Sequence, residues 1–269
     1  MKTPLTYYGG KQQLVSTILP LIPEHKTYCE PFMGGGAIFF SKRPSENEVI
    51  NDVNAELINF YEVVQRDYVA LEKEIQISLH SRSLHRQANV IYNNPDMFDK
   101  VKRAWAVWVT AAQSFGSMLS GTYGYDHTGQ TSLKVKNKRE SFTMDYAIRL
   151  QKVDIECTDA LRIIRSYDAP DAFFYCDPPY IGSDCGHYDG YSEEDYRMLL
   201  EHLSKIEGRF LLSSYPSDIL KKFKNKHGWQ QKEIEMKMSV NSKSKNRKTT
   251  KIEVLSANYD LDMGQQELF

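Results

Sequence analysis

The chain has 269 residues, 41% of them hydrophobic, and a formal net charge of -1. This length and apolar content support one large globular domain, or one domain with an insertion, and exclude a disordered chain. The balanced charge argues against a uniformly basic DNA-coating protein, and no stretch approaches the roughly 20 apolar residues of a membrane span.

The first sixty residues alternate between helix and strand patterns. A helix is predicted over 11–21, followed by short strands at Thr27–Glu30 and 48–51. A helix over Ala55–Arg66 comes next, with apolar residues on one face. The alternation is typical of the start of a βαβ unit.

The middle of the chain, from about residue 62 to 141, is rich in aromatic and basic residues and is predicted to be an insertion. Helices are predicted near 69–79 and 97–112, followed by a glycine-rich polar loop over 114–132.

Strand and helix alternation then resumes. The predicted elements are a strand over 153–157, a helix over 160–166, a strand over 173–176, a helix opened by Ser192 with Asp195 three residues on, and strands in RFLLSSY and KIEVLSANY. The stretch 181–191, between the predicted strand at 173–176 and the helix opened by Ser192, is predicted to be a loop.

Neither export nor metal binding is indicated. The stretch MKTPLTYYGG lacks the apolar core of an export signal, so a cytoplasmic protein is expected. The four cysteines form no CxxC pair and no cluster with histidine at metal-ligand spacing, so reduced thiols and no metal site are predicted.

The segment PFMGGGAIFF follows a predicted strand and precedes an apolar helix. Glycines at this position permit a tight turn and a close approach of a ligand to the backbone. Asp52 lies sixteen residues after Gly36, at the end of the next predicted strand. An acid there can accept hydrogen bonds from the ribose hydroxyls of an adenosine.

The segment FFYCDPPY stops a buried strand on an acid, two prolines and an aromatic ring. The prolines hold Asp177 and Pro178 extended. The Asp177 carboxylate and the Pro178 carbonyl can accept both hydrogens of an exocyclic amino group while Tyr180 stacks on its ring. Such a site favours a pyramidal nitrogen and positions its lone pair.

The segments YYGGKQQL, EPFMGGGAIFF, NDVNAELINFY, CTDA and FFYCDPPY, in this order, resemble the D12 class of adenine-specific DNA methyltransferases, the Dam-like enzymes that use S-adenosylmethionine. The resemblance implies an α/β fold, with a Rossmann-like methyltransferase sheet in 1–61 and 145–269. Residues 62–144 would be an inserted, mostly helical target-recognition domain. The implied reaction is methyl transfer to N6 of an adenine flipped out of double-stranded DNA.

The resemblance also assigns residues by position. The catalytic set is Asp177, Pro178, Pro179 and Tyr180. The cofactor-binding set is Tyr7, Gly10, Lys11, Pro31, Phe32, Gly34, Gly35, Gly36, Asp52, Asp159, Ala160 and Asp177.

Recognition-domain segments that Dam itself carries are not present here, so GATC specificity is not expected. DNA contacts are predicted in the 114–132 loop and in two basic runs, because unopposed cations suit phosphates. The candidates are Tyr123, Tyr125, His127, Lys134, Lys136, Lys138, Arg139, Lys243, Lys245, Arg247 and Lys248.

Two alternatives stay open. One is an amino-methyltransferase acting on cytosine N4, RNA or protein, although the Asp of DPPY favours adenine. The other is a catalytically idle relative that binds DNA. The expected partners are double-stranded DNA and, in a restriction-modification system, a cognate endonuclease. We expect a bacterial or phage-encoded monomer without a membrane partner.

Overall fold

The computed structural model describes residues 1–180, 191–237 and 250–262 of the chain. Seven strands run through this part. They are β1 Thr27–Glu30, β2 Asn47–Asn51, β3 Val153–Glu156, β4 Ala172–Cys176, β5 Arg209–Ser214, β6 Gln230–Lys237 and β7 Thr250–Ala257.

Hydrogen bonding places the strands in one sheet with the order β3-β2-β1-β4-β5-β7-β6. The pairs β2–β3, β1–β4 and β4–β5 are parallel, whereas β7 is antiparallel to both β5 and β6. The strand order reverses at β1 and β4, and open α/β sheets bind ligands beyond the carboxyl ends of strands at such a point. The predicted Rossmann-like methyltransferase fold class is confirmed.

The chain divides into two compact units, of which the first comprises Met1–Leu19 and Phe32–Ala160. This unit contains β2, β3 and eight of the described helices. The helices are α1 Val15–Ile18, α2 Ala37–Ser41, α3 Ala55–Arg66, α4 Tyr68–Gln76, α5 Arg82–Asn93, α6 Lys100–Gln113, α7 Gln130–Glu140 and α8 Asp145–Leu150.

Helix α6 is the centre of the helical part of the first unit. It packs against α3, α4 and α5, and both of its tryptophans are buried. The Trp105 indole N–H donates to Ser78 Oγ at 2.7 Å, which satisfies the one polar atom of a ring that is otherwise packed among apolar groups. The tryptophans are therefore part of the helical core.

Three expectations about the first unit need correction. Residues 11–21 are not one helix but two 3-10 turns, Lys11–Gln13 and Leu19–Leu21, on either side of α1. Pro20 lacks an amide hydrogen and cannot continue the helical hydrogen-bond pattern, which explains the break after α1. Helix α5 was not predicted, and α7 begins inside the loop that was predicted to run to 132.

The second unit comprises Pro20–Pro31 and Leu161–Phe269. It contains β1 and β4 to β7, together with α9 Ala160–Tyr167, whose first residue belongs to the other unit, α10 Glu193–Leu203 and α11 Asp218–His227. All five residues of β4 are buried, as expected of a strand inside a parallel sheet. The predicted capping box of Ser192 and Asp195 opens α10, whereas α11 and β6 were not predicted.

The helices from α4 to α7 lie in the first compact unit. The division of the chain at 62 and 144 into a catalytic and a recognition domain stays a prediction. No helix in the described ranges is long and apolar enough to cross a membrane.

Candidate active site

The glycine loop that follows β1 is shaped by contact with Tyr7. Gly34 and Gly36 have positive φ angles of 47° and 67°, which L side chains rarely adopt. A Cβ on Gly35 would lie 2.8 Å from the Tyr7 Cβ, and one on Gly34 would lie 3.3 Å from the Tyr7 ring. The close approach excludes side chains here, and it brings the predicted YYGGK motif and glycine loop together.

The YYGGK motif is itself a tight turn. The Gly10 amide donates to Tyr7 O at 3.0 Å, and a Cβ on Gly10 would lie 3.0 Å from that same carbonyl oxygen. Lys11 is buried, and its Nζ donates to Gly9 O at 3.1 Å. The lysine ammonium is thus held against the turn.

Asp52 follows β2 and holds the glycine loop. Its Oδ2 accepts from the Gly34 amide and its Oδ1 accepts from the Asn54 amide, each at 2.9 Å. The residue is only 4% exposed, and burial raises the pKa of its carboxyl group against the opposing effect of these backbone hydrogen bonds. Each carboxylate oxygen has a second lone pair, so the acid can also accept from a ribose hydroxyl.

Two residues that the sequence did not single out hold the carbonyl side of the loop. Tyr61 Oη donates to Gly34 O at 2.7 Å, and Thr3 Oγ1 donates to Gly35 O. Amide and carbonyl groups of the loop are therefore both held by hydrogen bonds within the protein. A loop that is already ordered favours ligand binding, because less conformational entropy is lost on binding.

Asp159 and Ala160 lie beyond the carboxyl end of β3. Asn51 fixes the chain just before them, because it donates to Thr158 O at 3.0 Å and accepts from the Thr158 amide at 2.9 Å. Asp159 is exposed and Ala160 is half-buried at the start of α9. The pair is therefore presented beyond the end of the strand. Pro31 is buried and Phe32 half-buried.

In the second unit, Asp177 directly follows β4. The buried strand leads to a half-buried Asp177 and Pro179, with Pro178 buried between them. β1 runs parallel to β4, with Cys29 beside Phe174, so the ends of both strands meet at one edge of the sheet. The buried Glu30 is the last residue of β1. An acidic edge thus lies where the strand order reverses.

A hydrogen-bond network fixes the hydroxyl of Tyr180. The Tyr180 Oη lies 3.1 Å from Asp177 Oδ1 and 3.4 Å from Ser213 Oγ, and it donates to Glu253 Oε1. Ser213 Oγ also donates to Glu253 Oε1, at 2.6 Å. Burial, together with the charges of Asp177 and Glu253, raises the pKa of Tyr180 well above its ordinary value. The phenol therefore stays protonated at neutral pH.

The ring of Tyr180 is held as well. It contacts the ring of Tyr215 with a centroid distance of 4.3 Å and an interplanar angle of 59°. Lys251 Nζ donates to Tyr215 Oη at 3.2 Å.

Within the described ranges no cluster of three or more metal-ligating side chains occurs.

Comparison with known proteins identifies the family of this chain. The sequence profile of the D12 class N6 adenine-specific DNA methyltransferase matches residues 7–234. The chain belongs to this family. Its members' activity is adenine-specific DNA methylation, which agrees with the acid, prolines and tyrosine that follow β4.

Similar relatives of this D12 methyltransferase have consistent names. Type II methyltransferase M.MjaIII of Methanocaldococcus jannaschii is 28% identical over 96% of this chain and 99% of its own length. Type II methyltransferase M1.LlaDCHI of Lactococcus lactis subsp. cremoris is 27% identical over 70% of this chain and 69% of its own. A DNA N-6-adenine-methyltransferase of Escherichia phage P1 is 30% identical, over 64% of this chain and 23% of the phage protein.

The predicted DNA-contacting tyrosines of this D12 methyltransferase belong to a stack of rings, which we name the aromatic column: His80, Tyr123 and Tyr125. His80 and Tyr123 stack at 4.8 Å and 16°, and Tyr123 and Tyr125 are near-parallel at 6.5 Å and 13°. The exposed Arg82 lies 4.8 Å from the Tyr123 ring and 5.4 Å from the Tyr125 ring. His127 meets Tyr125 edge-on at 6.2 Å. His80 and Arg82 were not predicted.

The first basic run lies on α7 and is not one uniform cationic face. Lys134 and Lys138 are four residues apart on the same side, whereas Lys136 forms an ion pair with Glu140 at 3.6 Å. Desolvation, with the charge of Lys134, lowers the pKa of Lys138 to about 8. Arg139 Nη1 donates to Ser78 O at 3.5 Å. The candidates Lys243, Lys245, Arg247 and Lys248 lie outside the described residues.

Proposed function

We propose that this D12 methyltransferase transfers the methyl group of S-adenosylmethionine to N6 of an adenine flipped out of double-stranded DNA. The observation that carries the proposal is the Asp177–Tyr180 corner. It combines a carboxylate, a proline carbonyl and a fixed aromatic ring beyond β4, where the strand order reverses. A base amine needs an acceptor pair and a stacking partner, and this corner provides both.

The first unit supports binding of S-adenosylmethionine. When bound, this cofactor supplies an electrophilic methyl group on a sulfonium. The loop of Gly34 and Gly35 packs so closely on Tyr7 that it has no room for side chains, and the Asp52 carboxylate that holds it suits ribose hydroxyls. Tyr7, Gly10, Lys11, Pro31, Phe32, Gly36, Asp159 and Ala160 complete the proposed cofactor-binding set.

At the corner, Asp177 and the Pro178 carbonyl accept the two amino hydrogens of the adenine. This draws the hydrogens away from the ring plane and orients the nitrogen lone pair. Asp177 then accepts the proton that N6 loses on methylation and passes it to water. Tyr180 stacks on the base, and Pro179 keeps the turn rigid.

For DNA contact we propose the exposed end of the aromatic column, with His127, Arg82 and the cations of α7. Aromatic rings and an arginine plane stack on bases, and lysines contact phosphates. Relatives named as modification methylases support a restriction-modification role with a cognate endonuclease. We propose that the protein acts as a monomer on DNA in the cytoplasm.

The test is transfer of a labelled methyl group from S-adenosylmethionine to mixed-sequence duplex DNA, followed by sequencing that reads N6-methyladenine. Label on adenine within one short sequence is expected, and Asp177→Ala is the control that should remove it. Label on cytosine, or transfer to RNA or protein when either replaces the DNA, would contradict the proposal in favour of another amino-methyltransferase. Cofactor and DNA binding without any label would favour an idle relative.

A further inference from the structure

We propose that Glu253 of β7 is a positioning residue for the reaction: it accepts a hydrogen bond from the Tyr180 hydroxyl and so holds the Tyr180 ring in place beside Asp177. The inference rests on the proposed function and extends it to a residue outside every motif of the resemblance. Glu253 is 73 positions from Tyr180 in the chain and in contact with it in the second unit.

The first step concerns burial. Glu253 is only 5% exposed, and Ser213, one of its partners, is fully buried. A buried carboxylate is costly unless hydrogen bonds satisfy it, and here Ser213 and Tyr180 both donate to Oε1. Because Glu253 accepts hydrogen bonds from both hydroxyl groups, it can fix the orientation of their O–H bonds.

The second step concerns the number of protons. The Tyr180 hydroxyl has one hydrogen, and two carboxylates, Asp177 and Glu253, lie within hydrogen-bond distance of its oxygen. It can donate to only one of them. The contact with Glu253 Oε1 is the closer of the two, so the phenol donates to Glu253, which also accepts from Ser213.

The third step concerns the ring. Tyr180 is fixed at its hydroxyl by Glu253 and at its face by Tyr215. Holding both ends of a side chain restricts the ring to one orientation, and productive geometry in active sites depends on such support. Loss of the Glu253 carboxylate is expected to weaken the hold on the hydroxyl end of the ring.

The experiment is a double-mutant cycle of Glu253→Gln and Tyr180→Phe, measured as kcat for methyl transfer to DNA. Glu253→Gln alone should lower kcat about 10- to 100-fold, with the Kd of S-adenosylmethionine unchanged. In the Tyr180→Phe background the same substitution should change kcat less than about twofold, because the two residues act as one unit. An equal loss in both backgrounds would overturn the proposal.

A matched control is Glu235→Gln, which removes an exposed acid from β6, the strand paired with β7. It should leave kcat unchanged. If Glu253→Gln fails to fold, Ser213→Ala replaces it in the cycle, since it removes one donor to Glu253 and keeps the acid. It should lower kcat only while the Tyr180 hydroxyl is present, and a loss in both backgrounds would again overturn the proposal.

A readout that does not need activity separates this inference from the proposed function. Tyrosine labelled with 13C at Cζ reports the ionisation of Tyr180, whose signal is assigned by its absence in Tyr180→Phe. Because the charge of Glu253 contributes to the raised pKa of Tyr180, Glu253→Gln should lower that pKa. An unchanged pKa would refute the contact even in a protein that methylates DNA, and a lowered one would support it even if no DNA is methylated.

Discussion

The glycine loop of the first unit and the Asp177–Tyr180 corner of the second are built in different ways. Backbone groups dominate the loop: Asp52 bonds two amides, Tyr61 bonds a carbonyl, and the shape of the loop excludes a Cβ at Gly35. Side chains dominate the corner, where hydroxyl and carboxylate groups meet around Tyr180. The role of the loop therefore depends on its backbone shape, and the role of the corner depends on where its hydroxyl protons are held. Substitutions in the loop should change cofactor affinity, whereas substitutions in the corner should change kcat.

Asp177→Ala should have the largest effect, because it removes the proposed acceptor of the substrate amine. We expect kcat to fall by at least about 100-fold, while the Kd of S-adenosylmethionine changes by less than about twofold. Single-turnover methyl transfer and calorimetric titration of the cofactor measure the two quantities. A matching loss of cofactor affinity would break the distinction between the regions.

Gly35→Ala should show the opposite pattern. Its Cβ would lie 2.8 Å from the Tyr7 Cβ, so either the loop or the Tyr7 turn has to move. We expect the Kd of the cofactor to rise about tenfold or more, which corresponds to about 1.4 kcal/mol, with a smaller change in kcat at saturation.

The control for Gly35→Ala is Gly228→Ala, at the end of α11. There the φ angle is 69° and the space for a Cβ is open, so only backbone strain is introduced. That variant should lose about 1 kcal/mol of stability and no cofactor affinity. Equal cofactor affinities in the two variants would show that the loop is more adaptable than its contacts indicate.

The same difference explains what the sequence could predict. The glycine loop, β1, α3 and the capping box of Ser192 follow from local chemistry: glycine, β-branched and aromatic residues, and cap residues at fixed spacing. The support of Tyr180 is not local, because Ser213 and Glu253 are 33 and 73 positions away. One available signal was an acid between apolar residues in the strand pattern KIEVLSA.

The helical part of the first unit was harder to predict. Helix α5 is mostly polar, yet Leu84, Ala88 and Ile91 repeat at helical spacing after the N-cap Ser81, so the sequence did contain a signal for it that was missed. The aromatic column joins residues from separate segments, and Arg82 became a candidate for DNA contact only through its position over Tyr123 and Tyr125. Tertiary packing determined the aromatic column.

Tyr125→Ala tests whether the aromatic column contacts DNA. Tyr125 is 63% exposed at the end of the column, and stacking on a base contributes about 1–3 kcal/mol. We expect DNA affinity to fall by that amount, with cofactor affinity unchanged, in a fluorescence anisotropy titration at fixed salt. Tyr125→Phe keeps the ring and should bind as tightly as the wild type, and equal affinity of all three proteins would exclude this contact.

Asp126→Asn should have the smallest effect. Asp126 accepts from Thr128 and from the Gln130 and Thr131 amides, and these hydrogen bonds hold the pKa of its carboxyl well below the usual range. Because the pKa of Asp126 is lower in the folded state than in the unfolded chain, its charged form stabilises the fold at pH values above its ordinary pKa. This contribution is lost as pH falls below about 4.

Urea unfolding of the wild type and Asp126→Asn at neutral pH and near pH 3 measures this contribution. The difference in unfolding free energy should favour the wild type at neutral pH and shrink at the lower pH. A difference that grows on acidification would contradict the assignment.

The most direct test of the account is base-resolved sequencing of DNA from a methylation-free bacterial host that expresses either the wild type or Asp177→Ala. We predict N6-methyladenine at one short recognition sequence in the host with the wild type and none with the variant. Cytosine methylation, or adenine methylation that persists in Asp177→Ala, would contradict the assignment of this corner as the catalytic site.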